Sequence, residues 1–444
     1  MPKGKKIYPH TKRAQASPFS TRGTGARYGV GVYLDYAATT PVDPRVLKAM
    51  LPYFSEKFGN TMSLHSFGQE AKEALEESRE VVADLMNAKP NEIIFTSSAT
   101  ESNNLALKGI VLANQKKGGH TRLHRYASPH RYAKRCWRAK HCGQVIISPI
   151  EHPCVKESAE WLKTQGFEIT KLPVDKYGLV SPNDVEKAIR KDTILVSIIH
   201  GSNEIGTIQP IEEIGKVIKR KSKILNLKPK IYFHTDAAQS FGKIPIDVNK
   251  MNIDLLTASS QKMYGPKGAG CLFIKEGTEI EPILHGGGHE SGLRSSTVNV
   301  PAIVGFSEAV EICKKVTKKE SQRLTKLRNK LINGVLSKVP DSYLNGHPTK
   351  RLPNNANFWF KGVEGESIVI QLDLLGVAAS TGSACSSAKL EPSHVLLAIG
   401  LKHEQAHGSL RLSLGRWTTE KDINYVLKIL PKIIKKLREI SGAQ

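Results

Sequence analysis

The sequence predicts an α/β protein: a large domain built on a mostly parallel sheet, followed by a smaller α+β domain. Three observations predict it. From Tyr33 onward, short β-branched runs alternate with amphipathic stretches, the pattern of strands joined through helices. Several of those runs are apolar at consecutive positions, as expected of strands covered on both faces. The C-terminal part then changes character, with a long apolar stripe at helical spacing flanked by strand-like pieces.

The predicted strands of the first domain are 93–96, 145–148, 194–199, 231–234, 255–258 and 271–274. Helices are expected between them over 70–87, 101–115, 154–164 and 211–221. In the second part, strands are predicted at 357–360 and 410–414. Ile423, Val426, Leu427, Leu430, Ile434 and Leu437 mark the long helix. Thr419 followed by Asp422 is a start signal for it, and Pro431 is expected to kink or split it. The expected division is a basic extension over 1–31, a large domain over 45–305, and a small domain formed by 32–44 with 306–444.

At 444 residues the chain can bury a large core, and length alone suggests two or three domains. Its apolar and charged fractions, 39% and 24%, are ordinary for a globular protein. It contains no apolar run long enough to span a membrane, and none in the first thirty residues that would make a secretory signal. Sixty-five basic residues against 41 acidic ones give a net charge of +24. Residues 1–31 hold seven Lys/Arg and no acid, and 120–144 hold another seven and no acid, so the remainder carries only +10. Such segments can attach a protein to nucleic acid or an anionic surface; the simpler reading is a solvated tail and a solvated loop. The tail is also acid-poor and contains Arg and Ser, as organelle transit peptides do, but it lacks their amphipathic stripe.

The six cysteines (136, 142, 154, 271, 313 and 385) show no framework spacing. Reduced thiols in a cytosol-like compartment fit best. Cys136 and Cys142, near His124, His130 and His141, match no common zinc pattern, and no metal site is predicted.

In a parallel α/β sheet, function collects beyond the carboxyl ends of the strands. Each predicted strand is followed by polar residues. After 93–96 comes Ser97-Ser98-Ala99-Thr100-Glu101, either an anion cradle at a helix start or an ordinary Ser/Thr cap. After 145–148 comes His152, suited to stacking on a flat ring or moving protons, or simply structural. After 194–199 comes Asn203, a donor for a ring hydroxyl or a carboxylate unless the segment is only a Gly-flanked turn. After 231–234 comes Asp236, a carboxylate that needs a cation. That cation is either a protonated pyridine nitrogen or a nearby Arg or Lys. After 255–258 comes Lys262 before a Gly/Pro-rich turn, suited to attack on an aldehyde once desolvated. Cys385 sits among small residues in Ser380-Thr381-Gly382-Ser383-Ala384-Cys385-Ser386-Ser387, as an accessible nucleophile would. Arg411 alternates with apolar neighbours and is either an inward-facing carboxylate clamp or an exposed edge residue.

These residues, with the phrases Tyr33-Leu34-Asp35-Tyr36-Ala37-Ala38-Thr39-Thr40, Asn203-Glu204-Ile205-Gly206, Tyr264-Gly265-Pro266-Lys267-Gly268, Gly286-Gly287-Gly288-His289-Glu290 and Glu391-Pro392-Ser393, carry a resemblance. The chain resembles the cysteine desulfurases of the NifS/IscS type, fold-type I pyridoxal 5′-phosphate enzymes of the class-V aminotransferase family. The likeness runs from Tyr33 to about Leu437. It implies removal of sulfur from L-cysteine, giving alanine and a persulfide on Cys385, with the sulfur passed on for iron–sulfur clusters or tRNA thiolation. It implies that Lys262 holds the cofactor as a Schiff base, Asp236 pairs with the ring nitrogen, and His152 stacks on the ring. Gln239 bonds the ring hydroxyl. Ala99, Thr100, Ser259 and Gln261 lie at the phosphate, and Thr297 comes from the partner of a homodimer. Asn203 and Arg411 bind the substrate carboxylate. An iron–sulfur scaffold or another sulfur acceptor is the implied partner, and the cytoplasm the implied location.

The sequence departs from the family at Gln261, where a histidine is usual, at Ser291, where an arginine is frequent, and in the basic 120–144 stretch. A selenocysteine lyase would share Lys262 and Asp236. A non-catalytic scaffold or nucleic-acid-binding protein on the same fold would rest on the two basic segments alone.

Overall fold

The computed structural model describes residues 31–114, 143–227, 230–382 and 391–442. Twelve strands are found among them, in chain order. They are β1 (Val32–Tyr33), β2 (Ile93–Thr96), β3 (Gln144–Ile147), β4 (Glu168–Lys171), β5 (Thr193–Ser197) and β6 (Tyr232–Asp236), then β7 (Leu255–Ser259), β8 (Gly270–Ile274), β9 (Ser342–Asn345), β10 (Asn355–Phe360), β11 (Val377–Ala378) and β12 (Ser409–Ser413).

Seven of these form the large sheet in the order β2-β8-β7-β6-β5-β3-β4. β3, β4, β5, β6 and β7 are parallel neighbours, and β8 pairs antiparallel with both β7 and β2. Two reversals restore direction, so β2 runs with the parallel set and only β8 opposes it. The carboxyl ends of β2, β3, β5, β6 and β7 therefore share one edge. Every residue of β2, β3, β5, β6, β7 and β8 is buried, which explains their unbroken apolar runs. Two separate apolar cores cover the two faces, one centred on Phe233, Leu256 and Phe273, the other on Val145, Leu195 and Leu272.

A second sheet, β12-β10-β9, is antiparallel, and β1 pairs with β11 beside it. The 39-residue helix Val300–Lys338 joins the two parts. Ala302, Ile303, Phe306, Val310 and Cys313 lie in the large core, whereas Leu324, Leu331, Ile332 and Val335 lie in the small one with Val32 and Leu34. We propose on this basis that the two domains divide within that helix, with the N-terminal strand belonging to the small one.

Two local expectations are corrected. Helix Glu420–Ser441 runs through Pro431 without a break. Its apolar face, from Ile423 to Ile434, lies against one core on both sides of the proline and keeps the two halves in one helix, so the expected split does not occur. The expected 101–115 helix begins earlier, at Ala99, and contains a wide π-helical turn over Leu105–Gly109. Thr419 does open the last helix: its hydroxyl accepts from the Asp422 amide at 3.3 Å, and Asp422 accepts from the Thr419 amide at 2.8 Å. No helix among the described residues is long and apolar enough to cross a membrane.

Candidate active site

The shared edge of the large sheet gathers most of the polar residues picked out in the sequence. Asp236 is the last residue of β6 and is 4% exposed. Its Oδ2 accepts from Asn103 Nδ2 at 2.7 Å and its Oδ1 from the Ala238 amide at 2.9 Å. Among the described residues it forms no ion pair with Lys or Arg, so the structural alternative for this carboxylate is not realised.

On the adjacent strand, β7 ends at the buried Ser259 and passes into the turn Ser260–Lys262. Lys262 Nζ donates to the carbonyls of Ala37 and Ala38, at 2.8 and 2.5 Å. Gln239 Nε2 donates to the same Ala37 carbonyl at 2.8 Å. The loop after β1 thus closes over the sheet edge with acceptor oxygens, for which Ala37 and Ala38 need no polar side chain. Gln261 also meets that loop, its Oε1 accepting from Thr39 Oγ1 at 3.2 Å.

His152 caps helix Pro153–Thr164 just after β3, its Nδ1 accepting from the Cys154 amide at 3.3 Å. Burial holds its pKa below the usual histidine value; the Lys262 charge lowers it further and the Asp236 carboxylate opposes both. Both charges therefore act on one ring. On the other side of the edge, Ala99 and Thr100 open the helix after β2, with Ser98 Oγ accepting from the Glu101 amide at 3.2 Å. The cap is real, and it aims a helix start at the same edge.

Arg411 lies on β12, paired with β10, and its side chain is 3% exposed. β12 is an end strand of its sheet, but the Arg411 side chain is not exposed. Nη2 meets Asp35 Oδ1 at 2.8 Å, while Nη1 donates to the carbonyls of Asn203 at 3.0 Å and Gly382 at 3.3 Å. Asn203 and Arg411, from different domains by sequence, are thereby in contact. Thr297 is exposed in the loop before helix Val300–Lys338. Cys385 lies outside the described residues, as do Cys136, Cys142 and most of the basic 120–144 stretch. The segment before Cys385 ends at Gly382 on Arg411, and the segment after it begins near Ser393, whose hydroxyl donates to the buried Glu204 carboxyl.

Sequence reasoning passed over three residues here: Asn103, Cys154 and Asp35. Asn103 fell only within the 96–104 turn that contributes to the resemblance, and Cys154, one position past a proline, carries no local signal of function. Asp35 was visible only as part of a matching phrase.

The arrangement suits a flat ring carrying a cationic nitrogen and an anionic arm. A buried carboxylate with no Lys or Arg ion pair among the described residues, a lysine just past the neighbouring strand, an imidazole and a helix start share one edge. Asn103 Oδ1 and Arg411 Nε are buried with no hydrogen-bond partner among the described residues, as expected of groups that receive a ligand.

Known proteins share this plan. The class-V aminotransferase family model matches residues 32–126 and 128–426. The chain is 50% identical over 409 residues to cysteine desulfurase IscS 1 of Archaeoglobus fulgidus, covering 92% of this chain and 98% of that protein. It is also 50% identical over 410 residues to cysteine desulfurase IscS of Dictyoglomus turgidum, covering 92% and 96%. Among solved structures, a NifS-like protein superposes with a TM-score of 0.80 at 36% identity, covering 91% of this chain and all (100%) of that one. SspA in complex with cysteine superposes with a TM-score of 0.72 at 37% identity, covering 87% and 100%. The chain belongs to the cysteine desulfurases of the class-V aminotransferase family.

Proposed function

We propose that the protein is a pyridoxal 5′-phosphate-dependent cysteine desulfurase that yields alanine and passes on the sulfur of L-cysteine. The observation that carries this is that Asp236 at the end of β6, Lys262 just past the end of the neighbouring β7 and His152 just past β3 lie on one sheet edge.

The cofactor, when bound, supplies an electron sink that loosens the bonds at the substrate α- and β-carbons. Lys262 would hold it by its amine, and Asp236, fixed by Asn103 and the Ala238 amide, would face the ring nitrogen. His152 would lie against the ring, with Gln239 at its hydroxyl. Ala99 and Thr100, with Ser259 and Gln261, would receive the phosphate. Arg411 would grip the substrate carboxylate with Asn203 beside it, its buried Nε giving one donor not already engaged by the protein.

Cys385 is the proposed acceptor of sulfur. Its thiolate attacks the substrate sulfur; an S–S bond forms as the C–S bond breaks, and the electron pair left on carbon takes up a proton to give alanine. An iron–sulfur scaffold or another acceptor protein would then take the sulfur.

A second copy of the chain fits the exposed apolar ridge over 51–64, where Leu51, Phe54, Phe58, Met62 and Leu64 are 56–92% exposed. We propose a homodimer in which the partner supplies Thr297.

Incubation with L-cysteine and a reductant tests the reading. Alanine and sulfide in equal amounts are expected from the wild type, and neither from Lys262→Ala. Sulfide without alanine would overturn it.

A further inference from the structure

Asp236, Asn103, Cys154 and His152 are joined in one line. Asn103 Nδ2 donates to Asp236 Oδ2 at 2.7 Å and to Cys154 Sγ at 3.0 Å, using one amide hydrogen for each. Cys154 Sγ lies 3.0 Å from His152 Nδ1. The backbone N–H of Cys154 also reaches His152 Nδ1, at 3.3 Å. A backbone amide can only donate, so Nδ1 is the acceptor nitrogen. The neutral ring then carries its proton on Nε2.

The direction of the thiol follows from the same contacts. Burial, reinforced by the Asp236 charge, pushes Cys154 up to about 12, and hydrogen bonds from Asn103 and Thr100 only partly offset this. The sulfur therefore keeps its hydrogen near neutral pH. With the Asn103 amide donating to sulfur, the S–H is directed to Nδ1. The orientation of Asn103 is itself forced, because the reverse would set its Oδ1 against the Asp236 carboxylate. Every link runs one way, from amide to sulfur to imidazole.

We propose that Asn103 and Cys154 are positioning residues that hold His152 as the Nε2-protonated tautomer and tie its ring to the Asp236 carboxylate. This rests on the reading of the site given above. Its consequence is that His152 begins turnover as a proton donor at Nε2, and can accept a proton there only after giving one up.

A partly buried cysteine such as Cys154 is often just a small apolar filler. That role predicts that Cys154→Ala is tolerated better than Cys154→Ser, which would bury a hydroxyl for no gain. The positioning role predicts the reverse, because a serine hydroxyl can accept from Asn103 and donate to Nδ1. In the holoenzyme, Cys154→Ser should keep kcat/KM for cysteine within about threefold of wild type, and Cys154→Ala should lose about tenfold or more. Both variants are assayed where circular dichroism shows them folded. Cys154→Ala matching or exceeding Cys154→Ser would overturn the bridge.

The tautomer has a readout independent of turnover. Long-range ¹H–¹⁵N spectra of histidine-labelled holoenzyme, with His152 assigned by its loss in His152→Gln, should show the Nε2-protonated pattern. A proton on Nδ1 would overturn the assignment. Should the wild type give the Nε2 pattern but release no alanine from cysteine, the proposed reaction falls and the tautomer stands.

Discussion

Lys262 Nζ and Gln239 Nε2 donate to one atom, the carbonyl oxygen of Ala37, each at 2.8 Å. A lysine from the end of β7 and a glutamine from beyond β6 are thus held together by a loop some two hundred residues earlier in the chain. A main-chain carbonyl here fixes both nitrogens without adding a charge. Lys243 steadies the glutamine from behind, donating to its backbone oxygen at 2.8 Å.

Replacing Lys262 by alanine removes the only proposed covalent hold on the cofactor. The purified variant should lack the visible absorbance of the holoenzyme, and alanine production should fall about 10³-fold or more, a loss of about 4 kcal/mol or more in transition-state stabilisation. Absorbance and a single-turnover assay check both. A variant that keeps the wild-type spectrum would place the cofactor elsewhere.

Arg411 already spends Nη2 on Asp35 and Nη1 on two carbonyls, so its geometry is set before substrate arrives. Arg411→Lys keeps the charge and loses the fork. The expected result is a KM for cysteine raised roughly tenfold to a hundredfold, with a smaller change in kcat, because the lost contact serves ground state and transition state alike. Steady-state kinetics over a range of cysteine concentrations separates the two. An unchanged KM would remove Arg411 from substrate binding.

Most of the framework that places these groups was legible because it follows strand periodicity. Strand Ile93–Thr96 falls where its apolar run predicts, and Asp236 and Lys262 sit where the predicted strand ends put them. Helix Val300–Lys338 was not read as one element, because its buried face changes cores near its middle and no single apolar stripe runs its length. Pro431 does not split its helix, because packing on both sides of it outweighs the local rule for a break. Asn103 and Asp35 were missed as partners because they act across 133 and 376 positions, on Asp236 and Arg411, and no local pattern encodes such pairing.

The Arg79–Glu290 pair latches the loop that carries Glu290 to strand β2. Arg79 Nη1 and Nη2 each meet a Glu290 oxygen at 2.8 Å, Nη1 also donates to the Ile93 carbonyl at 2.7 Å, and the Phe95 amide donates to Glu290 at 2.7 Å. The two side chains are 9% and 3% exposed. Removing Arg79 strands the buried Glu290 charge, whereas removing Glu290 leaves Arg79 its ion pair with Glu76 at 3.0 Å, so Arg79→Met should destabilise by about 3–5 kcal/mol in urea denaturation and Glu290→Met by less. Arg79→Met combined with Glu290→Met should be less harmful than either single change. A double variant as unstable as the sum of the singles would show that the two do not act as a pair.

Glu151 gives a pH dependence whose sign is fixed by its surroundings. Its Oε1 accepts from Ser148 Oγ at 2.5 Å and from the Ile199 amide at 2.7 Å, while Oε2 is buried with no hydrogen-bond partner among the described residues. Burial, with the nearby Asp236 charge adding to it, pushes its carboxyl up to about 8 despite those two donors. Between the ordinary glutamate value and that raised one, the folded protein holds a proton that the unfolded chain has released. Stability from this group is therefore fully present in acid and is lost as pH rises through about 8. Glu204, pushed up to about 7 by burial, contributes in the same direction, so the comparison must isolate Glu151. Glu151→Gln keeps a neutral side chain of the same shape at every pH. Relative to this variant, the wild type should lose stability by at most about 1.4 kcal/mol per pH unit between about pH 5 and pH 8, then level off. Urea denaturation of both proteins across that range measures the difference, and parallel curves would mean that Glu151 folds already ionised.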